Sequence, residues 1–261
     1  MSHQEIYEHF HPDEKPFVDR AWEWIERSAL RHETKRTDFL DPRQAFILCS
    51  LANRERDVKI RLDGGSDRAE RCRAVIAPDY RPLEDEDMGI VVLAITSDDR
   101  RIADLDHGDY LGALLGLGIK RDKIGDLHVS EAGCHVLITE EISDFLIGHM
   151  KQVHRLEVSV AVRPHGELIV TEVKLEEQKL SVASMRLDGI ASDVFRLSRT
   201  KIVEPIRAGR CRVNWKAEEN PSTALHAGDI VSMKGFGRFK VLEVEGMSKS
   251  GRIRIKIGKF V

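Results

Sequence analysis

One stretch of this chain of 261 residues, positions 186–233, constrains the fold most strongly, because short-range signals follow one another there without a gap. A first helix is predicted by apolar residues that recur with the helical period, namely Leu187, Ile190, Ala191 and Val194. Ser198 is a suitable N-cap for a second helix over 199–208, and Gly209 stands where a left-handed C-terminal cap is needed. The apolar face of this second helix is Ile202, Val203 and Ile206. The stretch therefore predicts two consecutive short helices.

Pro205 lies inside the second predicted helix, where a proline removes a backbone hydrogen bond and costs about 3 kcal/mol. We therefore expect this helix to start late or to kink. Beyond it, Val213-Asn214-Trp215 predicts a strand and hairpin that support the helices, and Gly228-Asp229 predicts the turn into the next strand. Three further strands are predicted over 230–233, 238–243 and 252–256.

Charge is distributed unevenly along the chain, whose net charge is −3. Residues 181–261 contain 16 basic and 8 acidic residues, a balance of +8, whereas residues 1–180 contain 25 basic and 36 acidic residues. A basic module on an acidic body favours a polyanion as the ligand of the C-terminal part. A chance fluctuation in surface charge is the alternative that charge alone leaves open.

Basic residues lie on or beside the two predicted helices, and guanidinium groups near helix N-termini suit phosphate oxygens. The candidate residues for contact with the polyanion are Arg186, Arg196, Ser198, Arg199, Thr200, Lys201, Arg207, Arg210 and Arg238. The glycines of Gly235-Phe236-Gly237 allow close approach of the backbone to a ligand. Phe236 either stacks on a base or fills a turn or core position.

The order of these motifs resembles the S4 RNA-binding domain, a small fold that presents two basic helices to structured RNA. The motifs that carry the resemblance are Arg186-Leu187-Asp188, Ser198-Arg199-Thr200-Lys201, Gly209, Val213-Asn214-Trp215 and Leu225-His226-Ala227-Gly228-Asp229-Ile230. The resemblance implies RNA as the ligand. A module that has lost RNA binding and docks on protein is the alternative, against which the balance of +8 argues.

In the N-terminal part of the chain, the spacing of apolar residues predicts a helix over 13–30, directly after Pro12. A second helix is predicted to begin at Pro42, with Asp41 as its N-cap. Two paired strands are expected over 58–62 and 73–77. The acidic stretch 84–87 is predicted to be a linker or, equally well, a solvated loop inside one domain.

After this stretch the pattern predicts the order β-α-β-β-α-β, a split β-α-β unit like the ferredoxin fold. Its elements are expected over 90–95, 109–117, 126–129, 135–138, 140–150 and 156–162. The central strands carry no aromatic residues, so we expect this domain to pack or dock on protein rather than stack bases. Residues 175–180 are charged and are predicted to connect to the C-terminal module.

These elements predict an α+β protein of three domains. We expect an N-terminal domain of α/β or α+β type over 1–82, a ferredoxin-like domain over 88–170 and an S4 domain over 181–261.

Nearly the whole chain resembles the YlmH-like S4-domain proteins of bacteria and plastids. The residues that carry this wider resemblance are His9-Phe10, Pro16-Phe17-Val18-Asp19-Arg20, Thr37-Asp38-Phe39-Leu40-Asp41-Pro42-Arg43-Gln44, Glu70-Arg71-Cys72-Arg73-Ala74, Ile76-Ala77-Pro78-Asp79-Tyr80, His107-Gly108-Asp109-Tyr110-Leu111-Gly112-Ala113 and Leu117-Gly118-Ile119-Lys120-Arg121-Asp122-Lys123-Ile124-Gly125-Asp126. The resemblance implies a non-catalytic protein that binds rRNA and tRNA on the large ribosomal subunit. It also implies a role in the rescue of stalled nascent chains, where members hold peptidyl-tRNA while a C-terminal tail is added. Some members are encoded near cell-division genes.

No cofactor or metal site is predicted. The four cysteines form no Cys-x-x-Cys pair, and no nucleophile elbow or glycine-rich methyl-donor loop occurs. An RNA-modifying enzyme with an unrecognised N-terminal catalytic domain is one alternative, and a docking adaptor in cell division is another. We expect a cytoplasmic protein, because the free cysteines are scattered and the N-terminus shows no leader pattern. We expect no membrane span, because the sequence contains no long apolar run. We expect it to be a monomer away from the ribosome.

Overall fold

The computed structural model describes residues 10–248 and 251–260. One compact unit is Pro16–Thr171, and the other contains residues 10–15 and 172–260 of the described chain. Both units combine helices with antiparallel sheets, as expected for an α+β protein. The N-terminal residues 1–5, which show no leader pattern in the sequence, and His9 of the family resemblance lie outside the described residues.

The first helix of the chain, α1 (Lys15–Arg31), begins two residues later than expected. The reason is a separate 3-10 turn at Pro12–Glu14, closed by a capping box between His11 and Glu14. Helix α2 (Pro42–Ala52) begins where predicted. Its capping box is complete, because Asp41 Oδ1 accepts the N–H of Gln44 at 2.8 Å and Gln44 Oε1 accepts the N–H of Asp41 at 3.0 Å.

A small sheet accompanies these helices. Strands β1 (Lys35–Arg36), β2 (Val58–Asp63) and β3 (Arg73–Pro78) form it in the order β1-β3-β2. The predicted pairing of β2 with β3 is confirmed, with Ile60 opposite Ile76. Both neighbours of β3 run antiparallel to it, so this part of the chain is α+β rather than α/β.

A four-stranded antiparallel sheet forms the centre of the first unit, in the order β5-β6-β4-β9. The elements in this region are β4 (Ile90–Thr96), α3 (His107–Gly116), β5 (Ile124–Ser130), β6 (Gly133–Thr139), α4 (Ser143–His149), β7 (Gln152–Val153), β8 (Leu156–Glu157) and β9 (Ser159–Arg163). The predicted strand over 156–162 is in fact two strands. The N–H of Val158 donates to Lys151 O and closes a small β7–β8 hairpin, so only β9 joins the sheet, beside β4.

Both faces of the central sheet are covered. On one face, Leu93 and Ile95 pack with Tyr110 and Leu114 of α3 and with Leu146 of α4. On the other face the side chains of the sheet belong to a second cluster, which extends into the N-terminal part of the unit: Val92, Leu137, Phe39, Val75, Leu83 and Met88.

The acidic stretch 84–87 lies between two buried residues, Leu83 and Met88. Arg61 Nη1 donates to the carbonyl oxygens of Leu83, Glu84 and Glu86 at 2.7–3.0 Å. The stretch is therefore a hydrogen-bonded loop inside one compact unit. Of the two interpretations of the sequence, this agrees with a loop inside one domain rather than with a linker.

Residues 165–171, here called the histidine strap, are attached to the central sheet by histidine side chains. The N–H groups of Ile169 and Thr171 donate to the Nδ1 atoms of His135 and His128, at 3.1 and 3.3 Å. His165 Nε2 lies 2.8 Å from Ile90 O. His128 and His135 stand directly opposite each other in the β5–β6 hairpin, so two adjacent rings hold the end of the strap.

The second unit is built on a six-stranded antiparallel sheet in the order β10-β15-β14-β13-β11-β12. Its strands are β10 (Leu175–Val182), β11 (Cys211–Val213), β12 (Lys216–Ala217), β13 (Ile230–Met233), β14 (Gly237–Met247) and β15 (Ile253–Phe260). The interpretation of 175–180 as a connector was wrong. This segment is an edge strand that pairs with β15 along its whole length, from Leu175 opposite Phe260 to Val182 opposite Ile253.

Two helices, α5 (Leu187–Phe195) and α6 (Arg199–Arg207), pack against this sheet. The predicted apolar positions are buried with the exception of Val203, which is half-buried. Ser198 caps α6, and Gly209 has a φ of +68°, as a left-handed cap requires. The late start expected from Pro205 is not observed, because α6 begins at Arg199 and includes Pro205 as a buried residue.

Val213 ends β11, and Asn214 and Trp215 form the two-residue turn of the β11–β12 hairpin, so the predicted strand and hairpin are present. The φ angles of the two turn residues are +50° and +65°, which is the left-handed pair that a type I′ turn needs. The Asn214 side chain donates to Asp229 Oδ1 at 2.8 Å and accepts the N–H of Ile230 at 2.9 Å. These bonds attach the hairpin to the start of β13.

None of the helices in the described residues is both long enough and apolar enough to cross a membrane.

Candidate nucleic-acid interface

The first candidate residue, Arg186, precedes α5 as its N-cap residue. Its Nε and Nη2 donate to the two carboxylate oxygens of Asp188 at 3.0 and 2.8 Å, a bidentate ion pair. These hydrogen bonds lower the pKa of Asp188 and raise that of Arg186. The Arg186 side chain is 43% exposed while that of Asp188 is 7% exposed, so the arginine is held in a fixed orientation by a buried carboxylate.

Arg199, in the first turn of α6, reaches back to α5. A Cβ atom built on Gly189 would lie 2.8 Å from Nη2 of Arg199, so the guanidinium occupies space that only a glycine leaves open. The positive charge of Arg199 also lowers the pKa of Asp188, after the larger effect of Arg186. Arg186, Asp188 and Arg199 therefore form one charge cluster that joins the two helices.

The turn between α5 and α6 presents further candidates to solvent. Arg196 ends α5 in the left-handed conformation, with φ 53° and ψ 44°, and its side chain is exposed. Ser198 accepts the N–H of Lys201 at 3.4 Å as N-cap of α6. Thr200 and Lys201 are exposed in the first helical turn, where the N–H groups and the helix dipole favour an anion.

The remaining candidates lie elsewhere in the second unit. Arg207 is exposed in the last turn of α6, at the end of the helix opposite to Lys201. Arg210 and Arg238 both line a cavity beside β11, β13 and β14. The structure therefore divides the predicted residues into a helix cluster around the α5–α6 turn and a pair at the sheet, and Arg207 belongs to neither group.

Arg238 is held by aromatic rings. Its guanidinium carbon lies 4.6 Å from the ring centre of Phe260 and 5.4 Å from that of Trp215, distances that fit cation–π contacts. Neither ring was among the residues predicted from the sequence. Trp215 is a turn residue and Phe260 lies in the last strand, so no local pattern brings them to Arg238.

Thiol chemistry is disfavoured at the four cysteines. Burial raises the pKa of Cys72 to about 11 and those of Cys134 and Cys211 to about 12, and it also raises the pKa of Cys49. A thiol with a raised pKa is a poor nucleophile at neutral pH. The described residues also contain no group of three or more histidine, cysteine or carboxylate side chains that could hold a metal ion.

The charged side chains of a partly buried cluster in the first unit are engaged in structural hydrogen bonds. Asp126 accepts the N–H groups of Glu70 and Arg71 at 2.6 and 3.1 Å, and Arg71 Nη2 donates to Phe39 O at 3.0 Å. Arg121 Nη1 donates to Ile124 O at 2.5 Å. Burial lowers the pKa of Arg121 to about 10 and raises that of Asp126. These side chains hold loops and strand ends together, which is a sufficient account of their positions.

Comparison with known proteins identifies the family. A family model described as "YlmH, N-terminal" matches residues 13–81, and one described as "Putative RNA-binding domain in YlmH" matches residues 83–167. Over 251 residues the chain is 35% identical to a protein of Bacillus subtilis (strain 168) named "Ribosome-associated protein quality control protein P2", and the match covers 96% of this chain and 97% of the relative. The chain belongs to the YlmH family.

A solved structure gives a second comparison for this YlmH-family chain. It is described as "Cell division protein ylmH from Streptococcus pneumoniae", is 25% identical and superimposes with a TM-score of 0.54. The match covers 62% of this chain and 97% of that structure. The name of the family model over 83–167 refers to RNA binding, whereas we expected the central domain to pack or dock on protein. Our expectation stays a prediction.

Proposed function

We propose that this YlmH-family protein is a non-catalytic RNA-binding factor of the ribosome. It binds rRNA and tRNA on the large subunit, in the cytoplasm, and acts in quality control of stalled nascent chains. Away from the ribosome it is a monomer. The name of the Bacillus subtilis relative and the name of the family model over 83–167 support the ribosomal association and the RNA ligand.

The observation that carries the proposal is the exposed basic turn at the start of α6. Arg196, Thr200 and Lys201 are exposed there, and Arg199 is oriented by its contact with α5. A capped helix N-terminus flanked by cations binds phosphate oxygens through N–H groups, hydroxyls and charge together. In this proposal the second unit is an S4 domain and the helix pair is its RNA-binding surface.

The central sheet is assigned to the ferredoxin-like type. Its strand order β5-β6-β4-β9 and the two helices on one face support this assignment. The domain division over 1–82, 88–170 and 181–261 is part of the proposal, with the C-terminal domain extended to include β10, because β10 pairs with β15.

The test compares two double variants of the full chain. Arg199→Ala/Lys201→Ala removes cations of the helix cluster, and Lys179→Ala/Arg254→Ala removes an exposed lysine and an exposed arginine from β10 and β15 of the same unit. Binding to purified large ribosomal subunits and to tRNA is measured as a function of salt. The helix variant is expected to bind more weakly, with a salt slope smaller by about 0.7–0.9 per lost phosphate contact. Equal slopes for the two variants would reject the helix pair as the contact.

A docking role in cell division is the second candidate, favoured by the name of the solved Streptococcus pneumoniae structure. The same helix variant separates the two functions. An adaptor keeps its cell-division activity when RNA binding is weakened, whereas a ribosomal factor loses its activity together with RNA affinity.

A further inference from the structure

The end of the histidine strap is held to the central sheet by few bonds. Residues 169–171 lie in no helix or strand, and none of them makes a backbone–backbone hydrogen bond with the rest of the described chain. The N–H groups of Ile169 and Thr171 donate instead to ring nitrogens of His135 and His128, at 3.1 and 3.3 Å. Ile169 is 49% exposed, so apolar burial adds little. Two side-chain acceptors therefore hold this segment.

The beginning of the strap is attached more firmly. His165 Nε2 lies 2.8 Å from Ile90 O, and the N–H of Leu168 donates to His165 O at 3.1 Å. The Leu168 side chain is half-buried and packs against the apolar cluster on this face of the sheet. Loss of the two histidine acceptors would therefore release 169–171 and leave 165–168 in place.

The ring of His128 carries an unsatisfied donor while it holds the strap. Because Nδ1 accepts the N–H of Thr171, a neutral ring has its hydrogen at Nε2. The residue is only 8% exposed, and Nε2 is buried without a hydrogen-bond partner among the described residues. An unsatisfied buried donor costs free energy. This cost offsets part of what the bond to Thr171 contributes, so the attachment is weak.

The strap ends where the first compact unit ends. The first unit extends to Thr171, and β10, the first strand of the second unit, begins at Leu175. While the strap is attached, the three residues 172–174 connect its last anchored residue to β10. Once 169–171 are released, the connection has the six residues 169–174. At about 3.3–3.6 Å per residue, its maximum reach doubles from about 10 Å to about 20 Å.

We propose that the histidine strap is a releasable tether, which sets how far the second unit can move from the first. His128 and His135 hold the tether in its short form, and loss of their two bonds gives the long form. The length of a tether sets the effective concentration at which one module meets a ligand that the other module already holds. This consequence for RNA rests on the function proposed above, whereas the tether itself requires no ligand.

The test compares three forms of the full chain, namely the native chain, Ile169→Pro/Thr171→Pro and Val170→Pro. Proline has no N–H, so the double variant removes both donors to the histidines. Val170→Pro is the matched control. It places the same ring in the same segment, and the N–H of Val170 donates to no group of the described chain.

Spin labels report the distance between the units. All three forms carry Ser159→Cys in β9 and Arg254→Cys in β15, two exposed positions, as labelling sites. Cys49→Ser and Cys72→Ser prevent labelling of the two half-buried thiols. Pulsed EPR then measures the distribution of distances between the labels.

We expect the double variant to show a broader distribution, with separations up to about 10 Å longer than in the native chain and in Val170→Pro. Cleavage by a glutamyl endopeptidase after Glu172 should be roughly tenfold faster in the double variant. Circular dichroism and the thermal midpoint verify folding. If the double variant does not fold, His135→Phe removes one acceptor without a change in the strap and should show both effects to a smaller degree.

Equal distance distributions in the double variant and in Val170→Pro would overturn the proposal. Faster cleavage with an unchanged distribution would overturn it as well, because the strap would then be released without a longer reach of the second unit. Neither measurement involves RNA, so failure of the tether leaves the proposed function untouched. That function is tested separately by the tRNA affinity of Arg199→Ala/Lys201→Ala.

Discussion

The guanidinium of Arg199 lies against the backbone of Gly189, so a basic residue of α6 is positioned by the lack of a side chain on α5. A Cβ atom at Gly189 would lie 2.8 Å from Arg199 Nη2. The opposing group is the far end of a flexible side chain and can move away. Gly189 is therefore more important for the position of Arg199 in the charge cluster than for the stability of α5.

We expect Gly189→Ala to uncouple RNA affinity from stability. Alanine favours the helix by about 1 kcal/mol relative to glycine, so the free energy of unfolding should be unchanged or slightly higher. RNA affinity should fall because Arg199 is displaced. Urea denaturation and fluorescence anisotropy measure the two quantities. Gly112→Ala in α3 is the matched control, since a Cβ there meets nothing within 4 Å and RNA affinity should be unaffected. Equal RNA affinity of the two variants would contradict the proposed role of the Arg199 contact.

Replacing Asp188 by Asn should destabilise the second unit at neutral pH. The variant keeps the size of the side chain but removes the charge to which Arg186 binds in a bidentate manner. We expect the free energy of unfolding to fall by about 1–3 kcal/mol. The lowered pKa of Asp188 means that its stabilising contribution is present above the unfolded value near 3.9 and is lost as the pH falls through the folded value. The difference between Asp188→Asn and the native chain should therefore shrink below about pH 4. A difference that stays constant down to pH 2 would show that the carboxylate charge is not the cause.

The histidine strap should loosen in mild acid. Burial lowers the pKa values of His128 and His135, and a protonated ring has no lone pair at Nδ1 to accept the N–H groups of Thr171 and Ile169. The surrounding charges act in both directions, since Asp126 raises the pKa of His128 while Arg163 lowers and Glu167 raises that of His135.

The pKa values of His128 and His135 in the folded protein lie below the unfolded value of about 6.5. The contribution of these two histidines to the free energy of unfolding is therefore fully present above that pH and decreases as the pH falls below it. Amide hydrogen exchange at Ile169 and Thr171 should accelerate, relative to the intrinsic rate, between pH 7 and pH 5. His135→Gln should show the faster exchange at Ile169 already at neutral pH, whereas His149→Gln, at an exposed position of α4, should not. Protection that does not change with pH would disprove the strap mechanism.

Pro205→Ala should stabilise the second unit. Proline lacks the N–H that would donate to the carbonyl oxygen of Lys201, and alanine restores this bond within α6. Pro205 is buried, so part of the gain is offset by lost packing, and we expect a net gain of about 1–2 kcal/mol in the free energy of unfolding. Urea denaturation of the full chain measures it. A net loss of stability would mean that the contacts of the proline ring outweigh the missing hydrogen bond.

Several elements could be predicted from the sequence because their signals are local. Asp41 and Ser198 cap the helices that follow them, and Gly209 adopts the left-handed cap that its position required. The consecutive strands β5 and β6 were also predicted, because each has a local pattern of apolar residues. Caps, helical periodicity and hairpins depend on residues within a few positions of one another, so they can be predicted without knowledge of the rest of the fold.

Other features depend on residues that are distant in the sequence. Strand β10 has the charged composition of a linker, and only its pairing with β15, more than 60 residues later, makes it a strand. Arg212, Ser232 and Arg238 lie in one row because three strands align in one register, and the rings of Trp215 and Phe260 meet Arg238 only in the folded sheet.

The amino-acid sequence by itself determined the α+β class, the two-helix module with its basic residues and the membership of the YlmH family. The tertiary structure alone decided which basic residues share a surface. Apart from Arg207, it divided the candidates between the α5–α6 turn and the cavity on the sheet, and it paired Arg186 with Asp188. The physical reason is that helix formation follows local backbone and burial preferences, whereas the position of a charge relative to another is set by strand register and helix packing over the whole unit.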